Sequence, residues 1–459
     1  MALPRSSGAT VLVSGVFAVL SSIAGCGSSD QLPGTNPGGG SGSSGGGSHP
    51  PLPQVDDNGG GILTSPEIVT VTFSPTLYAN AKSPDAATMI ADLLDFDDTL
   101  TQSAYWDTVR AGYCEPLNST NCVGKGAAID PTRDHVSIAT PPAASYTDAP
   151  DDGASTLHTY ISGLFAAGTL PAPNANTLYV FYFPQTTTIT INGGTTCTTI
   201  GGYHASLAVG SLDVPYAVVG VCDPEDTGSA LGKVTPKLTV EQTATFSASH
   251  EIAEAVTDPH VAQLPSSDNN PYQRLGFDMT NTASQAWPLV LGGGEVADLC
   301  LDLLGLGQDR TAMGKYTAQR IWNNVSAAEG HDPCVPIASG SVYFNVAPPV
   351  ADDQLAMPVG STQSFNASSF ADGAIDTWTV ELVDVGQNAD GSASTVLTTT
   401  PLKLTTGSGD SVACSIKLNS APPVQAGEQP GSPGIEPYVI VSFDAAGTYH
   451  LWPGIVAAQ

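Results

Sequence analysis

The chain has 459 residues, and its 43 acidic side chains against 13 basic ones give a formal net charge of −30. With no basic cluster in that balance, nucleic-acid binding is excluded, because neutralising phosphates needs Lys and Arg. Such a length accommodates two or three domains.

Met1 to Gly25 reads as a signal peptide. Arg5 supplies the positive start, Val11 to Leu20 the apolar run, and Ile23-Ala24-Gly25-Cys26 a small-residue cleavage site. The apolar run is too short, and too rich in Ser and Gly, for a membrane span. Ile-Ala-Gly-Cys resembles the lipobox of bacterial lipoproteins. That resemblance implies lipidation of Cys26 and a protein held at the bacterial cell envelope, on the outer membrane or cell surface, through its N-terminal lipid alone. Residues 26–60 are mostly Gly, Ser and Pro, with runs such as Gly38-Gly39-Gly40, and cannot bury a core; they read as a flexible tether.

From residue 61 to 336 the pattern is mixed. Glu67 to Phe73 alternates and is β-branched, predicting a strand. Ala86 to Leu94 has the helical spacing Met89, Ile90, Leu93, Leu94, continuing towards Val109. His135 to Ile138 is a short strand and Ser155 to Phe165 a helix. Leu178 to Phe183 is a continuous apolar run ended by Pro184, as in a buried central strand. Thr188 to Ile191 and Val214 to Cys222 read as further strands, with Gly193-Gly194 and Gly201-Gly202 as turns between them. The acidic stretches Asp95-Phe96-Asp97-Asp98 and Asp148 to Asp152 read as solvated surface.

The next element carries the chemistry. Thr239-Val-Glu-Gln242 has the form of a capping box, and Asp258-Pro259 is a stop. Between them Ala244, Ala248, Ile252 and Ala255 form an apolar stripe. At about 100° per residue, His250 and Glu254 point away from it. A histidine and a carboxylate one turn apart, with Glu251 between them, is how a helix holds a divalent metal beside a general base.

A catalytic zinc site needs three protein ligands. His250 and Glu254 are two, and Glu295-Val-Ala-Asp298 resembles the downstream carboxylate segment of gluzincins, which implies Glu295 as the third ligand and Asp298 as the group orienting His250, with Asp298 itself an alternative ligand. His260 is an alternative, since it completes an i, i+4, i+10 spacing, although Thr257 replaces the glycine of that turn and Pro259 intervenes. His204 is a further one, as ligand or as a group polarising the reacting oxygen. Glu251 would take a proton from the attacking water and pass it to the leaving amine. Because Glu254 stands where a second histidine is usual, its charge weakens the metal as a Lewis acid. The implied cofactor is Zn²⁺ and the implied substrate an extracellular protein or peptide.

Apart from Cys26 there are seven cysteines, which suggests three disulfides and one free thiol in an exported chain. Pairing in chain order gives Cys114–Cys122, Cys197–Cys222 and Cys300–Cys334 and leaves Cys414, although sequence does not fix connectivity.

The order β-α-β-α-β-β-β-α with the HExxE helix last resembles the N-terminal half of zincin metalloproteases. Four segments resemble the phosphate-induced, EXORDIUM-like secreted proteins and their bacterial relatives: Gly61 to Phe73 with Thr101 to Trp106; Cys197 to His204; Ser249 to Pro259; and Gly294 to Cys300 with Ala318 to Asn324 and Cys334. The resemblance covers residues 61–336 and implies a secreted or wall-associated protein with a zincin-like motif, without a substrate. Val261 to Leu291 is longer here than the pattern.

Residues 339–459 change to short alternating segments: Ser341 to Val346, Thr377 to Leu382, Ser411 to Lys417 and Tyr438 to Phe443. They suggest a β-sandwich, and Asp444 to Tyr449 resembles the tyrosine corner of immunoglobulin-like folds. This part reads as a spacer or accessory that binds a protein or polysaccharide. The fold class expected is therefore α+β: a zincin-like mixed sheet with an active-site helix, then an all-β immunoglobulin-like sandwich. The functional alternatives are a surface-anchored zinc metallopeptidase and a non-catalytic envelope protein with a structural or vestigial metal site.

Overall fold

A computed structural model describes residues 51–459 other than 79–85, 118, 149–154, 192–193, 224–236, 261–274, 278–280, 282–283, 350–353, 388–392 and 424–433. The expected signal peptide, Cys26 and most of the tether lie outside the described residues. The chain is α+β, and among the described residues no helix is long and apolar enough to cross a membrane.

The first half is built on a five-stranded sheet. Its strands are β1 (Glu67–Phe73), β2 (His135–Ile138), β3 (Thr177–Pro184), β4 (Gly202–Val209) and β5 (Leu212–Val221), in the spatial order β2-β1-β3-β5-β4. All neighbours run parallel except β4, which pairs antiparallel with β5 at the edge. β3 is buried at every position, as its unbroken apolar sequence predicts for a central parallel strand. β4 lies where the sequence suggests a turn. Its Ala, Ser and Gly content hides a strand whose alternation sends Tyr203 to one face and His204 to the other.

Two helices share a face of this sheet: α1 (Ala86–Leu100) and α2 (Val240–Thr257). The helical pattern from Ala86 breaks after Leu100 and resumes at Ala104–Val109, capped by the Ser103 side chain. α2 begins with the predicted capping box: Gln242 N–H donates to Thr239 Oγ1 (3.1 Å) and Thr239 N–H to Gln242 Oε1 (3.0 Å). It ends where Pro259 forbids continuation. The expected two-faced helix is in fact buried nearly all round, because β4, β5, α1 and the hairpin Arg310–Met313/Tyr316–Gln319 enclose it. Its ligand-bearing side thus faces protein.

Three further expectations are corrected. The tether stops short of residue 60: Leu52 and Val55 are buried, and Asp56–Asp57 pairs with Leu275–Gly276. Asp97 is fully buried, accepting from Thr70 Oγ1 (2.7 Å) and Tyr182 OH (2.8 Å), so its stretch is not simply solvated. Asp148 is buried as well, where it accepts from Tyr203 OH (2.7 Å).

The disulfides are Cys114–Cys122, Cys197–Cys222 and Cys300–Cys334, and Cys414 is free and buried.

The second half is a β-sandwich of a four-stranded and a five-stranded sheet. Their facing aromatic side chains meet, Phe344 with Trp378 and Phe370 with Trp452. It docks on the first half through the short helix α3 (Ala286–Leu291), where Trp287 packs edge-on against both Trp322 (5.2 Å) and Trp452 (5.6 Å). Tyr449 does not turn back on its own strand as a tyrosine corner would. Its hydroxyl donates to Asp302 in the first half.

Candidate metal centre

Three pieces of chain converge at the sheet edge. α2 brings His250, Glu251 and Glu254, edge strand β4 brings His204, and the turn after α3 brings Glu295 and Asp298. His250 Nε2 is 3.1 Å from Glu254 Oε2 and 3.6 Å from Asp298 Oδ1. His204 Nδ1 is 3.6 Å from Glu254 Oε2 and 3.9 Å from Glu251 Oε2, and His204 Nε2 is 4.0 Å from Glu295 Oε1.

The arrangement is graded in depth. Side-chain exposure is 3% for Glu254, 6% for Glu251 and 5% for His204, against 14% for His250 and 18% each for Glu295 and Asp298. Solvent therefore reaches the rim and not the floor.

The supports explain the orientation. His250 Nδ1 lies 2.8 Å from Gln319 Oε1, which directs Nε2 at the carboxylates. Gln319 is fully buried and held on three sides: its N–H donates to Ser249 Oγ (2.8 Å), its amide donates to Ala297 O (2.7 Å), and its carbonyl accepts from Tyr105 OH (2.7 Å). Gln319 therefore fills the orienting role expected of Asp298, which instead lies on the Nε2 side of the ring. Asp298 N–H donates to Glu254 Oε1 (3.2 Å), fixing that carboxylate. Two glycines make room. A Cβ on Gly293 would sit 1.7 Å from Asp298 Oδ2, and one on Gly202 would sit 2.9 Å from Glu251 Oε1.

Not every predicted residue joins. His260 Nδ1 is 3.3 Å from Asp213 Oδ2, and it belongs to neither group of close donors found among the described residues. Those groups are His204, Glu254 and Glu295, and His250, Glu251 and Glu254, each with donor atoms within 4.8 Å of one another. Glu295 is thus grouped with His204, not with His250. Gln319 had only one signal in the sequence, its place in the Ala318 to Asn324 segment.

Electrostatics follow from crowding. Burial alone would keep both imidazoles neutral, but the carboxylates outweigh it. His204 is raised well above the usual histidine range by Glu295, Glu251 and Glu254, and His250 by Glu254, Glu251 and Asp298. Burial likewise pushes Glu251 upward despite His250 and His204. For Glu254 burial loses to the two imidazoles, and the carboxyl is held well below its ordinary value.

The donors fit a divalent cation. On a tetrahedral ion with bonds of about 2.0–2.1 Å, ligand atoms lie about 3.3 Å apart, and the 3.1 and 3.6 Å separations around Glu254 bracket that figure. His204 Nε2 is buried without a hydrogen-bond partner and lies 4.0 Å from Glu295 Oε1, so it is open to a ligand on that side.

No family model matches the chain, and no curated protein matches it. Among solved structures it is similar to the periplasmic chaperone SfaE, at 11% identity and TM-score 0.19, covering 26% of this chain and 56% of that one. It is similar also to a chain of the Salmonella enterica SafA pilin complex with the SafB chaperone (10%, TM-score 0.19, 27% and 56%). A third is WR4, a C. elegans MSP family member (13%, TM-score 0.17, 25% and 97%). The chain spans little more than half the length of the chaperone chains, and likeness at these scores carries no inference.

Proposed function

We propose that this chain is a zinc-dependent metallopeptidase of the bacterial cell envelope, lipid-anchored through Cys26, acting on extracellular protein or peptide. What carries the reading is the convergence of His250, Glu254, His204, Glu295 and Asp298, with a buried imidazole nitrogen of His204 that makes no hydrogen bond. His250 and Glu254 would hold the ion, with Asp298 completing the set on the His250 side and Glu295 with His204 on the other side of Glu254. A bound zinc would polarise the scissile carbonyl and acidify water. Glu251 would accept the proton of the attacking water and return it to the leaving amine. Gln319 keeps His250 Nε2 on target.

The reading takes the first half as zincin-like, which the antiparallel edge strand beside the HExxE helix supports, and as EXORDIUM-related on its sequence segments alone. It takes the second half as an immunoglobulin-like accessory for a protein or polysaccharide partner. One observation favours a non-catalytic envelope protein instead: Glu251 lies on the buried floor, close under Gly202.

Digestion of casein or a peptide library by the zinc-loaded protein, with Glu251→Gln as control, separates the two. Cleavage lost in Glu251→Gln with zinc retained is the expected result. Equally poor digestion by zinc-loaded wild type and variant would sink the peptidase reading.

A further inference from the structure

We propose that this centre, which rests on the metal reading above, is built for two divalent cations rather than one, with Glu254 bridging a His250 side and a His204 side. Close donors fall into two groups, and Glu254 is the single residue in both. Its Oε2 lies between imidazoles from different elements, 3.1 Å from His250 Nε2 and 3.6 Å from His204 Nδ1. Its Oε1 is tied to Asp298 N–H, so the carboxylate cannot swing to serve one side alone. One cation would sit between His250 and Glu254, where Asp298 Oδ1 lies 3.6 Å from His250 Nε2, and the other among His204, Glu254 and Glu295.

His204 supplies the independent sign of the second ion. Nε2 is buried, has no hydrogen-bond partner, and is 4.0 Å from Glu295 Oε1. That gap is too long for a hydrogen bond, yet within the span of two bonds of about 2.1 Å to one ion. A single ion on the His250 side would leave this nitrogen without a bond, facing only Glu295 across that gap.

Charge points the same way. Glu251, Glu254, Glu295 and Asp298 bring four carboxylates, and the two histidines as ligands are neutral. One divalent cation would leave two of the four carboxylates to be neutralised by His204 and by protons in a largely enclosed site, whereas two cations neutralise all four. Four carboxylates with two histidines is also the donor set by which helical bundles hold paired iron or manganese ions. Carboxylate and imidazole together suit zinc, manganese and iron(II).

The full chain, with its disulfides intact, is stripped by chelator and dialysed against Zn²⁺, and bound zinc is measured by mass spectrometry. Two zinc ions per wild-type chain and one per His204→Ala chain are expected, with unchanged circular dichroism. Loaded with Mn²⁺, wild type should give a spin-coupled resonance that reverts to an isolated-ion spectrum in the variant. If His204→Ala does not fold, Glu295→Gln tests the same side. One zinc in both proteins overturns the two-ion inference while leaving the single-ion reading intact. Two zinc ions in both also overturn it, since the second ion then lies elsewhere. No bound zinc overturns both readings.

Discussion

Replacing Gln319 by leucine tests how the centre is held, since leucine nearly preserves volume while removing both polar contacts of a fully buried side chain. The Oε1 acceptor that fixes His250 Nδ1 at 2.8 Å disappears, and so does the amide donor to Ala297 O at 2.7 Å. Loss of an outer-shell partner typically lowers metal affinity by about 10–100-fold, or about 1.4–2.7 kcal/mol. Leaving the buried Ala297 carbonyl unpaired costs about 1–3 kcal/mol of folding stability. The two effects come apart in Gln319→Glu, whose carboxylate keeps an acceptor for His250 while losing the donor to Ala297 O and adding a buried negative charge. Zinc affinity, by competition with a chromophoric chelator, should fall in Gln319→Leu and stay near wild type in Gln319→Glu. Urea unfolding of the metal-free proteins should show both variants destabilised. Wild-type zinc affinity in Gln319→Leu would refute the orienting role.

Gly202→Ala places a methyl 2.6 Å from Val218 O and 2.9 Å from Glu251 Oε1, and the backbone carbonyl of a paired strand cannot yield cheaply. A loss of about 1–3 kcal/mol in thermal unfolding is expected, with peptide cleavage reduced more than zinc content; unchanged stability and cleavage would contradict this packing. Burial pushes the Asp97 carboxyl up to about 7. The folded chain thus holds that proton where the unfolded chain releases it, so the group's stabilisation is greatest in acid and is lost as pH rises from about 4 to about 7, by up to about 1.4 kcal/mol per pH unit. Unfolding free energies at pH 5 and pH 7 should therefore differ less in Asp97→Asn than in wild type, and equal differences would show that Asp97 does not titrate there.

Legibility in the sequence followed locality. The capping box, the proline stop and the central strand are short-range signals, and each stands where the pattern puts it. The cysteines pair in chain order because each pair closes a short loop. What escaped depends on distant partners. β4 hides behind small residues, so the strand that carries His204 past the Gly201-Gly202 turn went unread. Gln319 reaches His250 across 69 positions, for which local pattern carries no signal. Asp298 was given the right neighbour and the wrong side of the ring. His260 fits a spacing, yet it pairs with Asp213. Leu52 and Val55 sit in a glycine-rich context that masks their burial.

The Trp287 contact changes how the two halves relate. The turn bearing Glu295 and Asp298 follows α3 directly, and Trp322 N–H holds it by donating to Val296 O (2.9 Å). Trp287 wedges between Trp322 and Trp452, while Val290 joins an apolar cluster with Val439 and Val441 of the sandwich. The C-terminal half is therefore an abutment for the loop that finishes the centre. Grafting the helix and edge strand into another scaffold would leave that loop leaning on nothing, and drift at Trp452 must be answered at Trp287 if the donors are to keep their places.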